Sequence, residues 1–285
     1  MPMASVIDTH FHVWDPSLLD IPWLGGSVPV LNRAYDIDDY LLAAGDEVPE
    51  QSVYVEVNVA PDQRLLEYES VLKLIHADDN PLSAAVMAAN PMDATLDEWI
   101  DRAQQESCVR GFRFILHSSD RPRGLCLDSS FVHGVQRIGE AGLHFELCMR
   151  TDELDDAIQL AEVAPETTLV LNHCGYPKLD GRDLTEWRGR VERLANCSNV
   201  VCKVSGLFEN AEPDWDVEQF RPVIEYVRSV FGVDRLLFGS NWPVCNLVGS
   251  YRQWMDVVTE VIAHWPEEDQ VALLSGNAKR IYQLA

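Results

Sequence analysis

Val6-Ile7-Asp8-Thr9-His10-Phe11-His12-Val13-Trp14 is an apolar strand that runs directly into a His-x-His pair. Side chains alternate faces along a strand, so His10 and His12 point the same way. Two imidazoles on one side of a strand end can grip a metal, or hold a water beside a carbonyl. Alone, the pair reads equally well as two satisfied core or surface histidines. The rest of the chain decides between these readings.

Short apolar runs alternate with longer amphipathic stretches after this strand. Strands are expected at residues 6–12, 52–58, 82–88, 111–116, 143–149, 168–173, 200–205 and 236–239. Several are apolar throughout, as parallel strands buried on both faces are. Helical spacing covers residues 64–78, 96–105, 152–163, 184–195, 217–231, 250–265 and 266–284, with a short helix at 37–44. Eight strands alternating with helices predict an α/β fold, a single (β/α)₈ barrel domain spanning residues 1–285. An open doubly wound sheet would carry a Gly-rich turn after its first strand, and none is present. The first connection, residues 13–50, is long and carries Trp14, Trp23 and Tyr35. It reads as a lid or pocket wall, or as a packed loop with aromatic anchors.

The chain has 285 residues, 47% of them apolar, which is ample for a large core. It contains no apolar run long enough to span a bilayer. Met1-Pro2-Met3-Ala4 shows no basic or apolar leader, so a cytoplasmic location is expected. Seven scattered cysteines without a Cys-x-x-Cys fit reduced thiols, not a zinc ribbon or disulfide scaffold. A net charge of −24 argues against nucleic acid and anionic membranes as partners. An anionic substrate would need a local island of arginine.

In a barrel of this kind, chemistry sits at the C-terminal strand ends. Those ends carry His10 and His12, Glu56 and Asn58, Asn90, Arg113 and His117, Glu146 and Arg150, Asn172 and His173, Lys203 and Ser205, and Ser240-Asn241-Trp242. So many polar and titratable groups exceed what packing requires. Individually each has a structural reading; Glu56 and Lys203, for instance, could form a buried ion pair.

Four motifs bring a resemblance into view: Ile7-Asp8-Thr9-His10-Phe11-His12-Val13-Trp14-Asp15-Pro16 with Pro22-Trp23-Leu24, Arg110-Gly111-Phe112-Arg113, Leu171-Asn172-His173-Cys174-Gly175, and Leu237-Phe238-Gly239-Ser240-Asn241-Trp242-Pro243-Val244. With the closing Gly276-Asn277-Ala278-Lys279-Arg280-Ile281-Tyr282, the whole chain resembles the amidohydrolase superfamily. The closest likeness is to its amidohydrolase-related branch of L-fucono- and L-rhamnonolactonase-like enzymes. That resemblance implies a hydrolase opening the lactone ring of a sugar acid. The implied catalytic residues are His10, His12, His173, Asn241 and Arg113. A three-histidine site of His10, His12 and His173 would suit one zinc-like divalent ion, although some lactonases of the branch need no metal. Trp14, Trp23 and Trp242 would offer faces to a sugar ring, with core packing as the alternative for each. Arg150 and Glu146 complete the expected substrate contacts, Arg150 forming with Arg113 the positive island. The partner the resemblance implies is a small sugar lactone, and a monomer or a homodimer is expected.

One departure stands out. Asn241 occupies the place of the superfamily's usual aspartate, which takes a proton from the attacking water; an amide cannot. Either another group is the base, or the branch works without one, or the chain is disabled there. The fit of Gly-Ser-Asn-Trp-Pro to its loop favours a natural variant. His173 is then the expected proton carrier to the leaving alkoxide, and Arg113 the oxyanion partner, removable with little loss of folding. A metal-dependent decarboxylase and a non-catalytic sugar-acid binding barrel are the rival readings.

Overall fold

The structure is a computed structural model. It describes residues 5–25, 28–78, 80–118, 120–179, 181, 183–212 and 214–285. Residues 1–4, where no leader is expected, and residues 26 and 27 of the long first connection lie outside the described residues.

Eight parallel strands follow one another round the sheet in chain order: β1 Ile7–Phe11, β2 Gln51–Val55, β3 Leu82–Ala88, β4 Val109–Ile115, β5 His144–Cys148, β6 Leu169–Leu171, β7 Val200–Val204 and β8 Leu236–Phe238. Beyond the β8 ladder, Asn241 N–H donates to the His10 carbonyl at 2.7 Å and His12 N–H to the Trp242 carbonyl at 2.8 Å. These bonds bring the last strand back to the first, and the sheet becomes the expected (β/α)₈ barrel. The outer helices are α1 Ile37–Ala44, α2 Arg64–Ile75, α3 Leu96–Gln105, α4 Ser129–Glu140, α5 Leu154–Val163, α6 Thr185–Ala195, α7 Val217–Phe231 and α8 Tyr251–Ile262. The chain ends in α9 Glu267–Val271 and α10 Asn277–Ile281, joined by the π-turn Ala272–Gly276.

The ladders are shorter than the sequence suggests. His12 lies one residue beyond β1. Asn172 and His173 leave β6 in a 3₁₀ turn. Helix α4 escapes sequence reading because Gly134 and Gly139 interrupt its apolar stripe of Phe131, Val135 and Ile138. Gly134 is there for close approach: a Cβ would stand 2.0 Å from the Pro91 carbonyl oxygen.

Two apolar cores result. The larger lies between the helices and the outer face of the sheet. The smaller fills the barrel and joins Ile7, Val53, Val55, Ala84, Val86, Val170, Val201 and Leu237 to Ala278, Ile281 and Tyr282. The C-terminal helix thus closes one end with apolar side chains. The polar residues of the strands gather above this plug, toward the other end. No helix among the described residues is long and apolar enough to cross a membrane.

Candidate active site

The seam between the first and last strands is locked by one carboxylate. Asp8 accepts from the Ser240 backbone N–H at 2.8 Å and the Ser240 hydroxyl at 2.5 Å. It also accepts from the Tyr40 hydroxyl at 2.8 Å and its own turn at His10 N–H, 3.1 Å. Four donors on one fully buried acid tie the His10–His12 segment to the loop that carries Asn241. His173 and Asn241 both hold positive φ, 53° and 55°, where non-glycine residues seldom rest unless the surroundings hold them. His173 is further fixed by a 2.9 Å hydrogen bond shared with Ser205. Gly206 passes so close that a Cβ there would lie 2.2 Å from His173 Nδ1. Only a glycine leaves that ring its place.

Beneath the histidines runs a buried ionic layer. Arg113 Nε donates to Glu56 Oε1 at 2.6 Å, and Arg113 Nη2 to the Glu56 carbonyl. Arg113 Nη1 reaches Asn172 Oδ1 at 3.3 Å, and Asn172 Nδ2 donates to Glu146 Oε2 at 2.7 Å. Glu146 Oε1 takes Lys203 Nζ at 2.6 Å and the Tyr282 hydroxyl at 2.8 Å. The partner of Lys203 is therefore Glu146, and that of Glu56 is Arg113, which corrects the Glu56–Lys203 pairing considered from sequence. Desolvation lowers Lys203 to about 8, against the pull of Glu146. Both cations are matched, so the layer presents little net charge upward.

A cavity of about 340 Å³ opens above. His12, Glu56, Asn58, Arg113, His173, Glu209 and Asn241 supply its polar wall. Trp23, Val28, Val57, Ile115, Val244 and Leu247 supply its apolar wall, and His117, Cys148 and Tyr176 stand along one side. The first connection contributes Trp23 and Val28, so part of it is pocket wall. Trp23 is held by its indole N–H on the Val57 carbonyl at 2.7 Å.

The three imidazoles do converge. The His10 ring centroid lies 5.1 Å from that of His12 and 4.5 Å from that of His173. His10, however, is fully buried, with Nδ1 facing Lys203 Nζ at 3.4 Å and Nε2 facing Arg113 Nη1 at 3.3 Å. An imidazole between two cationic donors has no lone pair to spare, and a divalent ion beside them would be repelled. These histidines therefore do not fit a three-histidine metal centre. Among the described residues, the one set of three ligand atoms within 4.8 Å of one another is His76, Glu106 and Cys108, remote from the cavity. Burial, then the Arg113 charge, lowers His12 to about 3; burial and Arg113 likewise push His173 well down. Both are neutral imidazoles at ordinary pH.

Several expected contacts lie elsewhere. Trp14 and Trp242 are 4% and 1% exposed and pack in the core, outside the cavity lining. Trp14 hydrogen-bonds the Arg33 carbonyl at 3.0 Å as a loop anchor, and Trp242 packs edge-on against Tyr35. Glu146 is sealed in the ionic layer. Arg150 pairs with Glu153 at 2.6 Å and lines a neighbouring cleft with Arg123, Lys178 and Arg190. The positive island expected from Arg113 and Arg150 is not formed. In exchange, the fold brings in Glu209, which lies past the end of β7 in the turn Phe208–Asn210 and so outside the strand-end positions. Its signal in the sequence is only an acid directly after the apolar pair Leu207-Phe208.

With this geometry in hand, comparison with known proteins is specific. The sequence profile of the amidohydrolase family matches residues 7–284. An L-fucono-1,5-lactonase of Burkholderia multivorans is 28% identical, over 99% of this chain and 97% of its own. A crystal structure of an amidohydrolase from Burkholderia multivorans, described with bound Zn, superposes with a TM-score of 0.89 at 28% identity, covering 99% of this chain and 100% of its own. The 5-carboxyvanillate decarboxylase of Sphingomonas paucimobilis superposes at 0.68 with 16% identity over 99% of this chain and all of its own, a likeness of fold alone.

Proposed function

Since the chain belongs to the amidohydrolase family, we propose that it hydrolyses the lactone of a sugar acid by water attack on the ester carbonyl. One observation carries the substrate class. The only cation lining the cavity among the described residues is Arg113, and its charge is already met by Glu56 at 2.6 Å. A cavity with donors but no unspent positive charge suits a neutral cyclic ester. An aromatic carboxylate, as a decarboxylase requires, would meet no free counter-charge. The lactonase name carried by the Burkholderia relative supports the same reading.

The residues divide the work as follows. Of the five guanidinium hydrogens of Arg113, four point at Glu56, His10 and Asn172, which leaves one on Nη2 for a carbonyl oxygen as it gains charge. The Glu56 pair fixes that donor in place, so no reorganisation is needed. His12 donates from Nδ1 to the Val55 carbonyl at 2.6 Å, which leaves Nε2 bare beside Asn241 on the cavity wall, an acceptor for a bound water. Trp23 and Val28 give the ring an apolar face. His10 has no free lone pair, so the chemical step is assigned to protein groups and not to a metal held by the three histidines.

The test is a pH-indicator screen of aldonolactones with and without chelator. Acid release from one or more lactones, unchanged by chelator, is the expected result. Lactone binding without acid release would leave a sugar-acid binding barrel, and carbon dioxide release from an aromatic acid would leave a decarboxylase.

A further inference from the structure

We propose that Glu209 takes the proton from the attacking water and returns it to the leaving ring oxygen, in place of the carboxylate that Asn241 lacks. This rests on the lactonase reading above. Glu209 lies in the 3₁₀ turn Phe208–Asn210 just beyond β7, anchored by the buried Leu207 and Phe208. It lines the cavity beside Asn241, whose Nδ2 donates to Glu209 Oε1 at 2.8 Å. Its second oxygen, Oε2, is buried and has no hydrogen-bond partner. A buried polar atom left unsatisfied in this way needs an occupant, and the cavity is where one would sit.

Among the described residues no cation pairs with Glu209, and the guanidinium of Arg113 in the same cavity is held by Glu56. Asn241 and Cys245 face it from the loop after β8, and Tyr176 from the loop after β6. His12, His173 and Arg113 line the same cavity, and Glu209 forms no ion pair among the described residues. Burial raises its carboxyl to about 7, against the Asn241 hydrogen bond. A carboxyl of that basicity is matched to proton transfer near neutral pH. The neighbouring His12 and His173 are too weakly basic for that task.

Hydrogen counting explains why an amide stands at position 241. The Val55 carbonyl can only accept, so His12 Nδ1 carries the hydrogen and Nε2 is bare. Asn241 Oδ1 faces that nitrogen at 3.3 Å while Nδ2 serves Glu209. This arrangement gives an ionised Glu209 its donor, while Oδ1 and the bare Nε2, two acceptors, face each other with no hydrogen between them. When Glu209 holds a proton, the amide turned over gives Nδ2–H to His12 and accepts the Glu209 O–H. Only an amide offers both a donor and an acceptor, so Asn241 follows the Glu209 proton where an aspartate would repel a second carboxylate.

The step balances. The water oxygen bonds to the carbonyl carbon, its proton passes to the Glu209 carboxylate, and the carbonyl pair becomes the oxyanion beside Arg113. The ring C–O bond then breaks as the carbonyl re-forms, and Glu209 gives the same proton to the departing oxygen. The product acid releases its own proton to solvent.

The experiment compares the parent protein with E209Q and E209D across pH 5–9 on whichever lactone is opened, with thermal melts to verify folding. The parent is expected to lose kcat/KM below a limb near neutral pH. E209Q should fall by about 10²–10⁴-fold and lose the limb, and E209D should retain part of the rate. E209Q within threefold of the parent, or an unchanged limb, overturns the proposal. An infrared titration separates this from failure of the lactonase reading. If the parent opens no lactone but shows a carboxyl band that titrates near neutral pH and is missing in E209Q, the proton-transfer group stands and the lactone is wrong. If that band is missing from the parent, the proposal falls whatever the substrate.

Discussion

Arg113 and Glu56 meet at 2.6 Å with side chains only 5% and 2% exposed, so the charge that serves the cavity is also part of the barrel's interior. Removing the arginine strands a buried carboxylate. Arg113→Ala is therefore expected to cost about 3–5 kcal/mol of stability as well as activity, contrary to the sequence-based expectation of little loss of folding. Replacing the pair together, Glu56→Gln with Arg113→Met, should recover much of the stability and none of the turnover. Denaturant melts beside lactone assays check both halves. A stable Arg113→Ala protein would mean that Glu56 finds another partner.

Asn241 links His12 to Glu209, so its loss should weaken the site without emptying it. Asn241→Ala is expected to lower kcat/KM by about 10²–10³-fold, the usual effect of losing one oriented polar group. Asn241→Asp should fold normally and move the neutral limb of the pH profile upward, because a second carboxylate beside Glu209 disfavours its ionised form. A downward shift of that limb would show that position 241 does not contact the titrating group.

Trp23 and Trp14 pack edge-on with ring centroids 5.6 Å apart, yet only Trp23 lines the cavity. Trp23→Ala should raise KM while changing kcat little, as loss of uniform binding does. Trp14→Ala should instead cost about 3–5 kcal/mol of stability, because it empties a core position. Steady-state kinetics and melting temperatures of the two variants separate the roles.

His144 lies on β5 beneath the ionic layer and is lowered to about 4, chiefly by burial. Its folded value lies below the ordinary value of 6.5, so the unfolded chain binds the extra proton first as pH falls. Stability is thus unaffected above about pH 6.5 and lost between there and about 4. The contribution is on the order of 3 kcal/mol across that window. His144→Gln should make the fall in melting temperature over this range shallower than in the parent. Equal slopes would show that His144 is solvated in the folded protein.

The barrel was legible because its cause is local and periodic. Apolar runs such as 84–88 and 169–171 suit strands buried on both faces, and their alternation with amphipathic helices admits few topologies. Helix α4 escaped because Gly134 and Gly139 look like breakers until the Pro91 carbonyl and Thr167 are seen against them. The strand-end positions of His12, Arg113, His173 and Asn241 were equally readable, since strand direction alone sends them toward one end.

What the chain order could not show is which of those groups is spent on its neighbours. Four acids and bases, Glu56 just past β2, Arg113 on β4, Glu146 on β5 and Lys203 on β7, come from four different places in the barrel, and their pairing depends on the stagger of the closed sheet. That stagger joined Lys203 to Glu146, sealed His10 between two cations, and left Arg113 neutralised by Glu56. It also placed Glu209, from a turn after β7, against Asn241 from the turn after β8. Sequence determined the scaffold and the inventory of reactive side chains. Tertiary structure alone decided their charges and availability, because ionisation and hydrogen bonding depend on distances across the barrel that no local pattern encodes.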